Sequence, residues 1–246
     1  MAFVCLLYQL ARPQFYHLAR VNDRPDIFID MAHPGYEAES PLPGVIIFRP
    51  QESLIFPNVD YIRSKVLDCV LEATTTTAIP DVSLWSEDLQ LRGEKLRLER
   101  AQKMGMSPPN QDQIPLLRAI VFDLSSVNLI DSSGLQGLFD LRDMLMRYVG
   151  TSQDSDFEMD LTPAFEIHFV STHPKVLHVL ELSKITANST LPPAIKNHLQ
   201  KPSSDLGSNH FTLEPIVFNP SRYIHLSISD AIKRIQKNWD HQATLI

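Results

Sequence analysis

The sequence predicts an α/β domain with a mostly parallel central β-sheet and amphipathic helices packed against it. Three observations carry that prediction. Short apolar runs of strand type recur along the chain, and each of four is followed by a segment with helical spacing, the pattern that builds parallel sheets through crossover helices. The 246 residues are 43% hydrophobic and 21% charged, enough apolar material for a sizeable core. Finally, 18 prolines against 8 glycines make proline the main punctuation between elements and leave little material for Gly-rich phosphate loops.

The first segment, MAFVCLLYQLARP, is about ten mostly apolar residues that stop at Arg12-Pro13. No basic residue leads it, so it lacks the pattern of a secretory signal. It reads either as an ordinary buried element or as the tail of a membrane helix. No apolar run in the chain reaches the ~18–20 residues that cross a bilayer.

Residues 45–49, Val-Ile-Ile-Phe-Arg after Pro43-Gly44, read as a strand, and 53–57 read as a second. Asn58 is placed to cap a helix whose apolar positions are Val59, Ile62, Val66, Cys69/Val70 and Ala73. From 75 to 115 the periodicity degrades between Pro80 and Pro115, which predicts a flexible insertion. Within it, 87–103 can form a solvated helix of mixed charge with too few apolar residues to anchor it. Order returns with the strand 118–124 and with a helix over 135–149. There Gln136, Asp140, Asp143 and Arg147 share one face, and Leu135, Leu138, Leu141, Leu145 and Val149 the other. A strand at 165–170 precedes a Pro174-started helix. A second flexible insertion is predicted at 186–220, and the strand 222–226 then leads into a helix capped by Ser227.

Several function classes fit poorly. A net charge of −7 repels a nucleic-acid polyanion. Cys5 and Cys69 cannot form a disulfide framework or a cysteine zinc site. His168, His173 and His178 fall on a strand, a turn and a helix without the spacing of a zinc motif, so neither metal nor cofactor is expected. Gly134-Leu-Gln-Gly137 has the letters of an RNA-binding loop but lies inside a helix without basic flanks; a small residue there suits helix packing.

The candidate site is Asp131-Ser132-Ser133-Gly134, which joins an apolar strand region to the strongest amphipathic helix. Unpaired N–H groups and the positive end of the helix dipole converge there, so a hydroxyl can cap, an anion can bind, or a phosphoserine can be held. Neither serine lies in a G-x-S-x-G elbow, and Asp131 does not supply the missing base, which argues against a hydrolase.

The order of elements and this D-S-S-G turn resemble the STAS domain, shared by sulfate-permease-type anion transporters and bacterial anti-sigma-factor antagonists. The transporter branch fits better. LLYQLARPQFYHL, residues 6–18, looks like the junction where the last membrane helix of fungal sulfate permeases ends. QESLIFPN, 51–58, looks like the family's strand and helix cap, and LRAIVFDLSSVNLIDSSGLQGL, 117–138, like its central strand–turn–helix. The resemblance implies a junction and linker over 1–42 and a STAS domain over 43–246 that carries the insertions at about 75–115 and 186–220. It implies a non-catalytic regulatory or assembly role beside a transporter's membrane domain or with other regulatory proteins, on the cytoplasmic side of a membrane, with a homodimer as one assembly. The alternative is a free-standing anti-sigma-antagonist-type regulator switched by serine phosphorylation. The bacterial branch's phosphoacceptor serine falls on Ser133, with Asp131, Ser132 and Gly134 around it as regulatory or anion-binding candidates; in the transporter branch this turn need not be phosphorylated.

Overall fold

In the computed structural model the described residues are 2–22, 24–75, 84–105, 107, 113–149, 165–183, 185 and 223–243. Strands β1 (Phe15–Val21), β2 (Arg24–Asp30), β3 (Ala38–Glu39), β4 (Val45–Pro50), β5 (Ala119–Asp123), β6 (Glu166–Val170) and β7 (Ile224–His225) form one sheet in the order β2-β1-β4-β5-β6-β7, with β3 also on β1. The run β4 to β7 is parallel, and β1 joins β4 and β2 in antiparallel register. The sequence reading of 1–42 as junction and linker is corrected in part, because 15–39 contribute three strands to the sheet.

The helices are α1 (Ala2–Ala11), α2 (Val59–Ala73), α3 (Leu84–Met104), α4 (Ser132–Val149), α5 (Pro174–Ser183) and α6 (Ile228–Ala243). Alternation along the strands sends side chains to two cores. Ile46, Phe48, Ile120, Phe122 and Phe169 enter a large core with Ile62, Val66 and Val70 of α2, Leu138, Leu141 and Leu145 of α4, and Val176 and Leu180 of α5. Val45, Ile47, Ala119, Val121 and Val170 face the other way, onto Ile228, Ala231 and Ile235 of α6. Across the large core Phe15, Phe48, Phe122 and Phe169 form a ladder with centroids 5.2, 5.9 and 5.9 Å apart. The fully buried rings of Phe48, Phe122 and Phe169 contribute about 1.5–3 kcal/mol each, the half-buried Phe15 less, and the row ties four strands together.

The expected strand at 53–57 is not one. Only Leu54 makes an isolated bridge, to Ile130. Asn58 explains the difference: fully buried, its Oδ1 accepts from Ile55 N at 3.1 Å and its Nδ2 donates to Ser53 O at 2.9 Å, folding the segment into a turn. That use of its side chain also displaces the predicted role, since Asn58 makes no side-chain cap bond to α2. Ser227 does cap α6, its Oγ accepting from Asp230 N at 3.2 Å.

The segment read as an insertion leaves and returns at one place, because Thr75 N donates to Pro115 O at 2.9 Å and Leu117 N to Thr75 O at 3.3 Å. Within it α3 is docked on α2 rather than isolated. Residues 186–220, read as the second insertion, lie outside the described residues.

Candidate functional site

Loops leave the C-terminal ends of the parallel strands on one edge of the sheet, where open α/β sheets gather their binding groups. The site sits between two of them, 51–58 after β4 and 124–131 after β5. At its base the register sets Arg49 beside Asp123. Arg49 Nε and Nη2 both donate to Asp123 Oδ2, at 2.8 and 2.6 Å, and the Asp123 side chain is only 3% exposed. Its other oxygen accepts from Ser125 N at 3.0 Å, turning the chain away from β5.

Above that pair the two loops are stitched by backbone bonds, Leu54 N to Leu129 O at 3.0 Å and Asp131 N to Leu54 O at 3.1 Å. The Asp131 carboxylate completes the join. Its Oδ1 accepts from Gly134 N at 2.7 Å and its Oδ2 from Phe56 N at 3.0 Å, so one side chain caps α4 and ties down the neighbouring loop. A carboxylate at this end is also favoured by the helix dipole. Gly134 lets the loops close: a Cβ there would lie 2.1 Å from Leu54 O. At Gly137 it would lie 2.1 Å from Val59 Cγ2, so this glycine serves packing against the start of α2.

The expectation that a serine hydroxyl caps this helix is therefore corrected: Asp131 is the cap. The hydroxyls of Ser132, exposed, and Ser133, half-buried, make no hydrogen bond to another described residue. They are presented at the surface beside Phe56, 74% exposed, and Leu129, 54% exposed. Any anion reaching Ser133 meets the Asp131 carboxylate two residues away, and among the described residues no imidazole hydrogen-bonds to either serine.

A buried polar chain lies elsewhere, on the α6 side of the sheet, and sequence reasoning missed it. His168 Nε2 is 3.0 Å from Glu166 Oε2, His168 Nδ1 is 2.9 Å from His225 Nε2, and Asn238 Nδ2 of α6 donates to both Glu166 oxygens at 3.0 and 3.2 Å. With Glu166 as the carboxylate, His168 donates through Nε2 and accepts from His225 at Nδ1. Burial first, then the His168 ring, push His225 down to about 4, so it is neutral at pH 7 and can play the donor. The i, i+2 spacing of Glu166 and His168 on one strand face was the available clue; their partners on β7 and α6 are 57 and 72 residues away. Of the other histidines considered, His173 precedes α5 and His178 lies within it.

Residues 41–151 match the STAS domain model. Two probable sulfate permeases of Schizosaccharomyces pombe are 28% and 31% identical to the chain over 172 and 169 residues, or 64% and 62% of it. The chain spans about a fifth of the length of these curated relatives, 20% and 19%. The solved structure of SLC26A9 superposes with a TM-score of 0.52 at 16% identity, covering 100% of this chain and 27% of that one, which shows a shared fold. No described helix is long and apolar enough to cross a membrane. The turn, the sheet order and these relatives lead to one statement: the chain carries a STAS domain related to that of sulfate permeases.

Proposed function

We propose that this chain is the regulatory and assembly part of a sulfate-permease-like anion transporter, docked against the membrane domain on its cytoplasmic side and acting by binding rather than catalysis. The observation that carries this reading is α1. Val4, Leu6, Leu7, Tyr8 and Leu10 are all exposed on a ten-residue helix without a charged residue. So large an apolar surface on a short helix calls for an apolar partner. Arg12, which follows it, stacks over Tyr8 and Tyr61 at 5.4 and 6.0 Å and ties the helix exit to α2.

In this reading the edge with Ser132 and Ser133 is the second contact surface, toward the transporter's own loops, a regulatory protein or a second copy. A chimera tests the assembly role: this chain replaces the matching segment of one of the fission-yeast permeases, and sulfate uptake is measured. Uptake retained by the chimera and lost on Leu6→Ser with Leu7→Ser is the expected result. Unchanged uptake when the segment is deleted outright would sink the reading.

A further inference from the structure

At the opposite edge of the sheet, where β4 begins and α2 ends, is a cavity of about 440 Å³. That volume lies within the range of about 300–1,000 Å³ of small-molecule sites. Most of its wall is apolar, including Ala19, Val45, Ile46, Ala73, Ala101 and Pro115. Its charged groups are Glu72, Arg97 and Arg100. Arg100 Nη1 pairs with Glu72 Oε1 at 2.6 Å. Arg97 has no carboxylate partner among the described residues; one of its Nη groups donates to Leu71 O at 2.7 Å and Thr74 O at 3.4 Å. Arg97 thus covers carbonyls at the negative end of α2 that would otherwise repel an anion. Among the described residues the carboxylates acting here are Glu72, paired with Arg100, and Asp30, which acts on the His17 ring; Arg97 pairs with neither, and both arginines carry further N–H donors. The His17 ring also lines the cavity and makes no hydrogen bond to another described residue; burial, then Arg100, lower its pKa, so at pH 7 it adds a neutral polar group.

We propose that this cavity binds an amphipathic organic anion, one negative headgroup on an apolar body, with the headgroup at Arg97 and Arg100 and the body against Ala19, Val45 and Ala101. The site is at the far edge from the Asp131–Gly134 turn and does not rest on the transporter reading.

The test uses the full chain and two probes of equal chain length, decanoate and decyltrimethylammonium, in calorimetric titrations below their micelle-forming concentrations. One saturable decanoate site per chain is expected, about tenfold or more tighter than for the cation. Ala101→Phe fills the cavity and lowers decanoate affinity about tenfold; Arg100→Gln reduces the preference for the anion and Arg100→Lys retains it. A measurement on the unaltered chain covers a variant that fails to fold: the Ala19 and Ala101 methyl resonances shift on adding decanoate. Equal affinity for the two probes, shifts confined to α1, absence of saturable binding, or decanoate binding unchanged in a folded Ala101→Phe would each overturn the proposal.

Discussion

Among the described residues, α3 and α4 both pack on helix α2, and they are held mainly by different means. Against α4 the contact is mainly apolar and close: Ile62, Val66 and Val70 share a core with Leu138, Leu141 and Leu145, Gly137 admits Val59, and one partly exposed ion pair, Arg63–Asp140 at 3.2 Å, lies at its margin. Against α3 it is ionic. Arg92 pairs with Asp68 at 2.5 Å and Arg100 with Glu72 at 2.6 Å, Arg97 grips the carbonyls at the end of α2, and the apolar contribution of Leu89 and Leu96 is partial. A mixed-charge run whose composition reads as solvated can thus be docked, if its arginines find carboxylates and carbonyls on a neighbour. The two contacts differ in energy. Apolar burial is not screened by salt and costs several kcal/mol to break, whereas half-exposed ion pairs are worth little each and are screened.

The largest separation of the two sides comes from truncating the core. Leu145, fully buried, loses about 2–5 kcal/mol as Leu145→Ala in urea unfolding. A loss below about 1 kcal/mol would put α4 in the same class as α3. Next is Gly134→Ala, which drives a methyl into Leu54 O and costs about 1–3 kcal/mol, because backbone on both sides must move. Asp131→Ala follows at about 0.5–2 kcal/mol through loss of the cap and of the tie to Phe56. On the ionic side, Arg92→Ala or Arg100→Ala costs only about 0.2–1 kcal/mol. Hydrogen exchange in about 1 M salt sharpens the contrast, with amide protection falling in α3 while α4 keeps its own. Ser133→Ala is the smallest change, within about 0.5 kcal/mol. Should it cost as much as Asp131→Ala, the hydroxyl is structural and the contact-surface reading of Ser133 loses its basis.

Much of this fold was legible before any coordinates. The four apolar runs at 45–49, 118–124, 165–170 and 222–226 overlap β4, β5, β6 and the two-residue β7, and each following helix starts within a few residues of its expected position. Part of the candidate site was legible too: the D-S-S-G turn does sit at the start of α4. Which group caps that helix was not legible, since serine and aspartate are both good caps. The choice fell to Asp131 because its second oxygen also reaches Phe56 N, on a loop 75 residues away. Residues 53–57 looked like a strand by apolar content, and Asn58 folded them into a turn instead. Strands β1 to β3 lay hidden in a stretch mixing charge and aromatics, since an antiparallel edge is exposed on one side and leaves a weak apolar pattern.

Two kinds of information separate here. Periodicity is local: a spacing of two or of three to four residues follows from the geometry of one strand or one helix, so it marks the parallel units and the buried face of each helix wherever the rest of the chain goes. Partner choice is not local. The Arg49–Asp123 pair at the base of the site, the tie from Asp131 to Phe56, the Glu166–His168–His225 chain and the arginine grip of α3 on α2 each join residues at least 23 apart, except for the Glu166–His168 step itself. Each is a polar interaction worth about 1 kcal/mol or so, too small to impose the fold and dependent on the packing that brings its partners within reach. Apolar burial, summed over many residues, selected the architecture; the architecture then determined which charges and hydroxyls were consumed in holding it and which, like those of Ser132 and Ser133, bond to no other described residue.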